Sequence, residues 1–206
     1  HTLFIADTNV TEMPEAEELV EIACEAARAV RALGFTPRVA FMSYSTFGNP
    51  MGERSDKVRE AVAMLDEMDV DFEYEGEMPP ELALDPELRA NYPFMRLTGH
   101  ANVLVMPAIH SASISTRLVQ SLGGARVIGP LLVGLEKPVQ IVSLGASVSE
   151  IITAATFAAY DAGPAFQGSG LTSAPRPPAA APPPSRPPRC SAWAWTTRRC
   201  RRATAR

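Results

Sequence analysis

ANVLVMPAIHSASISTRLVQSLGG, Ala101 to Gly124, is the stretch that decides the fold. ANVLVMP is an apolar run with no polar alternation after Asn102, far too short to cross a bilayer. It predicts a strand buried on both faces. A short turn at Ala108 to Ser113 follows, then a helix through SASISTRLVQSLGG that two glycines stop. A fully apolar strand that passes directly into a helix is half of a β–α–β unit, and parallel strands need such crossovers.

The same alternation extends outward in both directions. TLFIAD (Thr2 to Asp7) predicts a strand, and a helix opens near Pro14 with Glu15, Glu17 and Glu18 at its positive end and stops at Gly34. Leu19, Ile22, Ala26, Val30 and Leu33 fall at helical spacing and form its buried face. RVAFMSY (Arg38 to Tyr44) is a buried strand, followed by the polar loop STFGNPMGERSD and a helix from about Ser55 to Met68. VDFEYEG (Val70 to Gly76) alternates apolar and acidic side chains, which predicts a strand with one wet face. MPPELALDPELRANYP holds short helical turns, ARVIGPLLVG is a further apolar segment, VQIVS is a strand, and a helix runs from Ser147 to Asp161. The fold class is α/β, a mostly parallel sheet flanked by helices on both faces. Ligands of such sheets sit beyond the carboxyl ends of the strands.

The chain has 206 residues and a net charge of −4, but that figure joins two unlike pieces. From Ala174 onward there are eight arginines, no lysine, no acid and both tryptophans. The remaining 11 basic residues face 23 acids, so the rest of the chain carries −12. An acidic body argues against nonspecific nucleic-acid binding. The tail reads as an out-of-frame or misread end, expected to be disordered and without function, although an arginine-rich arm or a Pro-rich ligand is the other reading of such a composition. Cys24, Cys190 and Cys200 lack metal-ligand spacing, which suits a reducing cytoplasm and excludes a zinc motif. An opening His1 without a leader leads to the expectation of a fragment without a signal peptide, and no apolar run reaches membrane-spanning length.

Three loops lie where ligands are expected. Ser43, Ser45, Thr46 and Gly48 offer hydroxyls and a glycine, either a phosphate cradle or ordinary turn chemistry. His110, Ser111 and Ser113 precede a helix, with His110 either a base or a packed or surface histidine. QIVSLGASVSE (Gln140 to Glu150) brings Ser143, Gly145 and Ser147 to a strand–turn–helix corner whose amides can face an anion. Ser147 to Glu150 is also a capping-box pattern, so Glu150 is either a helix cap or a general base.

GEMPPELALD, the block from Tyr92 to Leu135, and KPVQIVSLGASVSEI resemble the carboxyl-terminal half of the phosphate acetyl/butyryltransferase family, from His1 to about Ala162. ADTNVTEMP, MPAIHSASIST and VQIVSLGAS resemble the branch of that family joined to large bacterial NADP-dependent malic enzymes. The resemblance implies two α/β domains with a cleft between them. Residues 1–128 would form the second domain, residues 129–162 would return to a first domain whose bulk is absent, and 163–206 would be the tail. It also implies that Ser143 matches the family's active-site serine, and Glu150 an aspartate that helps to deprotonate CoA, one methylene longer. Leu144 stands where active transacetylases carry an arginine, and Ser121 replaces another. Losing such a cation removes a contact worth about 1.5–3 kcal/mol and costs on the order of a hundredfold in rate.

The expectation is therefore a regulatory, oligomer-forming domain that binds acetyl-CoA as an effector. The catalytic site (Ser143, Glu150) would be vestigial, and Ser43, Ser45, Thr46, Gly48, His110, Ser111, Ser113, Gly145 and Ser147 would line the ligand. NADP and a divalent Mg or Mn would belong to the absent malic-enzyme region, with no metal here. A working phosphate acyltransferase and a purely structural assembly domain are the alternatives.

Overall fold

The computed structural model describes residues 2–123 and 127–161; the tail expected to be disordered lies outside the described residues. Strands β1 (Phe4–Ala6), β2 (Arg38–Met42), β3 (Glu73–Met78) and β4 (Val103–Val105) form one sheet in the order β1-β4-β2-β3, every pair parallel. The helices are α1 (Ala16–Ala32), α2 (Glu53–Glu67), α3 (Pro80–Leu84), α4 (Pro86–Arg89), α5 (Ile109–Gly123) and α6 (Val148–Asp161).

Period-two alternation along the strands builds both halves of the core. Val39, Phe41, Val103 and Val105 pack with Leu19 and Val30 of α1 and Val62 and Leu65 of α2. Their neighbours Ala40, Met42, Leu104 and Met106 pack on the other side with Leu82, Ala83, Leu97 and Ala112. Both faces are covered, which is why ANVLVMP shows no polar alternation.

The start of α1 carries a capping box between Glu15 and Glu18, and its end turns at Gly34, whose φ of 86° favours glycine. At β3 the expectation needs correction. The strand begins later than VDFEYEG suggests, and while Glu73 stays partly exposed, Glu75 is 2% exposed and Glu77 fully buried. Arginines from distant segments supply the charge that makes this burial possible. Arg96 pairs with Glu75 and Arg59 with Glu77.

VQIVS is not a strand. Among the described residues, none from 127 to 147 lies in one. A strand needs a neighbour to take its N–H and C=O groups, and among the described residues no strand pairs with this segment. Instead the Gln140 side-chain amide clasps both backbone groups of Leu132, at 2.9 and 3.0 Å. Most apolar side chains of this segment and of α6 are exposed, Ile141, Leu144, Val148 and Ile152 among them. The Tyr160 hydroxyl donates to the Ala32 carbonyl and ties α6 to the end of α1.

Candidate functional site

The sheet order places a crevice. After β2 the chain crosses to α2 on one face, and after β4 it crosses to α5 on the other. β2 and β4 are neighbours, so their carboxyl ends diverge at a topological switch point, where α/β sheets bind ligands. The loop from Ser43 to Gly48 and the start of α5 flank this point.

The loop from Ser43 to Gly48 is organised around a carboxylate of its own chain. Phe41 pairs with Gly76 but Met42 pairs with Met78, so Glu77 is the extra residue of a bulge. Bulges re-aim a side chain, and Glu77 ends beneath the loop. Its Oε1 accepts from the Ser45 hydroxyl at 2.6 Å, the Gly48 amide at 3.0 Å and Arg59 Nη1 at 3.0 Å. Ser45 is fully buried, and its Oγ lies 2.9 Å from Ser43 Oγ. The amides of Ser43, Ser45, Thr46, Phe47 and Gly48 all donate within the chain, to Met78, Ser43, Asn49 and, for the last two, Glu77. Among the described residues, Glu77 Oε2 has no hydrogen-bond partner. An acceptor left so costs about 1–3 kcal/mol, a cost the surrounding fold has to offset.

α5 begins at Ile109, so His110, Ser111 and Ser113 stand in its first turns rather than in a loop. The Ile109 amide donates to Glu12 at 3.1 Å, and the Ser111 hydroxyl to Ala108 at 2.7 Å. His110 is exposed. Ser121 lies exposed near the far end of the same helix.

Ser143 belongs to a separate pocket of about 360 Å³. Val127, Leu131, Ile141, Ser147, Glu150 and Thr153 are among the residues around it, and Glu150 is its only charged lining residue among those described. The Ser43–Gly48 loop takes no part in that lining. Leu144 is fully exposed. Glu150 Oε2 accepts from the Ser147 amide at 2.7 Å and the Ser147 hydroxyl at 2.8 Å, while the Glu150 amide donates back to Ser147 Oγ at 3.3 Å. The capping-box pattern is therefore formed at the start of α6. The Ser147 amide first and its hydroxyl second hold the Glu150 carboxyl below its ordinary range, which weakens it as a base. Among the described residues no group of three or more His, Cys, Asp or Glu is placed to hold a metal ion.

The structure thus gathers Ser143, Ser147 and Glu150 at one place, with Gly145 in the same turn, and Ser43, Ser45 and Gly48 at another. Sequence reasoning missed Glu77 and Arg59. The available signal was an acid pair in a strand otherwise flanked by buried ones.

Residues 1–159 match the phosphate acetyl/butaryl transferase family, and the chain belongs to it. It is similar to the NADP-dependent malic enzyme of Rhizobium meliloti (strain 1021), 59% identical over 162 residues, covering 79% of this chain and 21% of that protein. It is similar too to the phosphate acetyltransferase of Treponema pallidum (strain Nichols), 43% identical, covering 74% of this chain and 47% of the relative. Among solved structures, a phosphotransacetylase from Streptococcus pyogenes superposes with a TM-score of 0.73 at 35% identity, over 77% of this chain and 48% of its own. The chain therefore spans about a fifth of the malic enzyme and about half of the transacetylases.

Proposed function

We propose that this chain is the phosphotransacetylase-like region of an NADP-dependent malic enzyme, and that it binds acetyl-CoA as a regulatory ligand without turning it over. The observation that carries this reading is the Ser143 pocket. Leu144 stands fully exposed where the transferase needs a cation, and the pocket's one charged group is the Glu150 carboxylate, held in a helix cap. An acyl phosphate would meet a negative charge there and no positive one. The high identity to a malic enzyme supports the same reading.

In the whole protein, residues 1–128 form the second domain of the unit and 129–162 return to the first, whose surface covers the exposed apolar residues of the segment and of α6. NADP and the divalent metal, Mg or Mn, serve malate oxidation in a region outside this chain, in the cytoplasm. Ile114, Leu118 and Leu122 form an exposed apolar row along α5 that supports association between copies. An effector regulates only through a difference in its affinity for two states of the protein.

The test is malate oxidation by the intact enzyme against acetyl-CoA concentration, each protein normalised to its own rate without effector. Ser143→Asp places a negative charge beside a negative ligand and should relieve inhibition by acetyl-CoA. An unchanged inhibition curve, or robust formation of acetyl-CoA from acetyl phosphate by the wild type, overturns the reading.

A further inference from the structure

We infer that Glu77, acting through Ser45, sets Ser43 as a hydrogen-bond acceptor, so that the switch-point loop receives a donor group of the ligand and not a phosphate. The inference rests on the acyl-CoA reading above, and the donor is an amide N–H or hydroxyl of the kind a pantetheine arm carries.

The direction of the chain follows from counting protons. A carboxylate paired with Arg59 only accepts, so the 2.6 Å contact makes Ser45 the donor to Glu77. Ser45 has one hydroxyl proton and has spent it. The 2.9 Å contact between the two serines is then donated by Ser43. Ser43 is half-buried, at the carboxyl end of β2; its Oγ already accepts from the Ser45 amide at 3.3 Å, which leaves it one lone pair and no proton for the crevice.

Two further observations point the same way. Five successive or near-successive amides of the loop have partners within the chain, so the backbone has few donors left for an anion. The local charge is also wrong for one. Arg59 pairs with both Asp56 and Glu77, and Glu77 Oε2 is buried without a partner among the described residues. The negative potential of that carboxylate disfavours phosphate and favours the positive end of an N–H or O–H dipole.

Calorimetry on the intact protein tests this with acetyl-CoA and inorganic phosphate as probes. Ser43→Ala removes the acceptor, and Ser45→Ala frees the Ser43 proton. Each should weaken acetyl-CoA binding by about 3- to 10-fold, the effect of one hydrogen bond, and neither should weaken phosphate binding. Pantetheine and adenosine as separate probes show which end of the CoA supplies the donor; sensitivity of either one to Ser43→Ala supports the assignment. A readout without ligand is the Ser45 hydroxyl proton, which should exchange slowly with solvent in wild type and in Ser43→Ala. Phosphate binding weakened by Ser43→Ala overturns the inference. Acetyl-CoA affinity unchanged in both variants overturns it and leaves the regulatory reading standing, whereas a wild type that binds no acetyl-CoA overturns both.

Discussion

Tyr74 shows how single residues of β3 are tuned by elements far away in the chain. Its hydroxyl donates to Asp66 at 2.9 Å, and the Arg96 guanidinium lies 4.6 Å from its ring centroid. Burial first, and the bond to Asp66 second, push the phenol up to about 12. Burial alone would lower the Arg96 guanidinium, but the charge of Glu75 and the bonds to Asp66 and Glu75 outweigh it and raise it. The tyrosine has a pH consequence with a definite sign. A group whose folded pKa lies above its unfolded value of about 10 contributes stability below that pH and loses it as pH rises through the folded value. Ultraviolet titration of wild type against Tyr74→Phe should give a Tyr74 midpoint near 12. Stability lost between the two values should be smaller in the variant. A midpoint near the ordinary value would show that Asp66 does not hold the phenol proton.

At the scale of elements, the pairing of β2 with β3 is what builds the switch-point loop. A Cβ at Gly76 would lie 2.7 Å from the Phe41 Cβ and 3.2 Å from the Phe41 carbonyl, so only glycine lets the strands approach beside the bulge. Phe41 is fully buried and cannot give way freely. Gly76→Ala should therefore destabilise the protein by about 1–3 kcal/mol, the usual cost of overpacking. It should also shift Glu77 away from Ser45. Denaturant unfolding measures the first effect, and faster exchange of the Ser45 hydroxyl proton the second. Unchanged stability would mean that the two strands are not in contact there.

For the whole molecule, the contrast is between a sheet buried on both faces and the exposed apolar surface of α5, the segment 127–147 and α6. Among the described residues no helix is long and apolar enough to cross a membrane; the proposed association between copies would cover part of this apolar surface. Replacing Ile114, Leu118 and Leu122 with Gln on the exposed row of α5 should lower the sedimenting mass without lowering the unfolding midpoint at protein concentrations where wild type is monomeric. An unchanged mass would remove α5 from the interface.

The alternation of strands and helices through α5, the acidic start of α1, the turn at Gly34 and the apolar character of β2 and β4 were legible in the sequence because each depends on neighbours within a few positions. So was the cap formed by Ser147 and Glu150. The resemblance to the transferase family is what singled out Ser143, and Leu144 as the position without the expected arginine. Tertiary structure alone decided that β4 inserts between β1 and β2, because strand neighbours are chosen by crossovers tens of residues long. It alone decided that Glu77 and Glu75 of β3 are buried, since their counter-charges, Arg59 and Arg96, lie 18 and 21 positions away. VQIVS carries every local mark of a strand and is not one, because a strand is a property of two segments and the second must be present to take its hydrogen bonds.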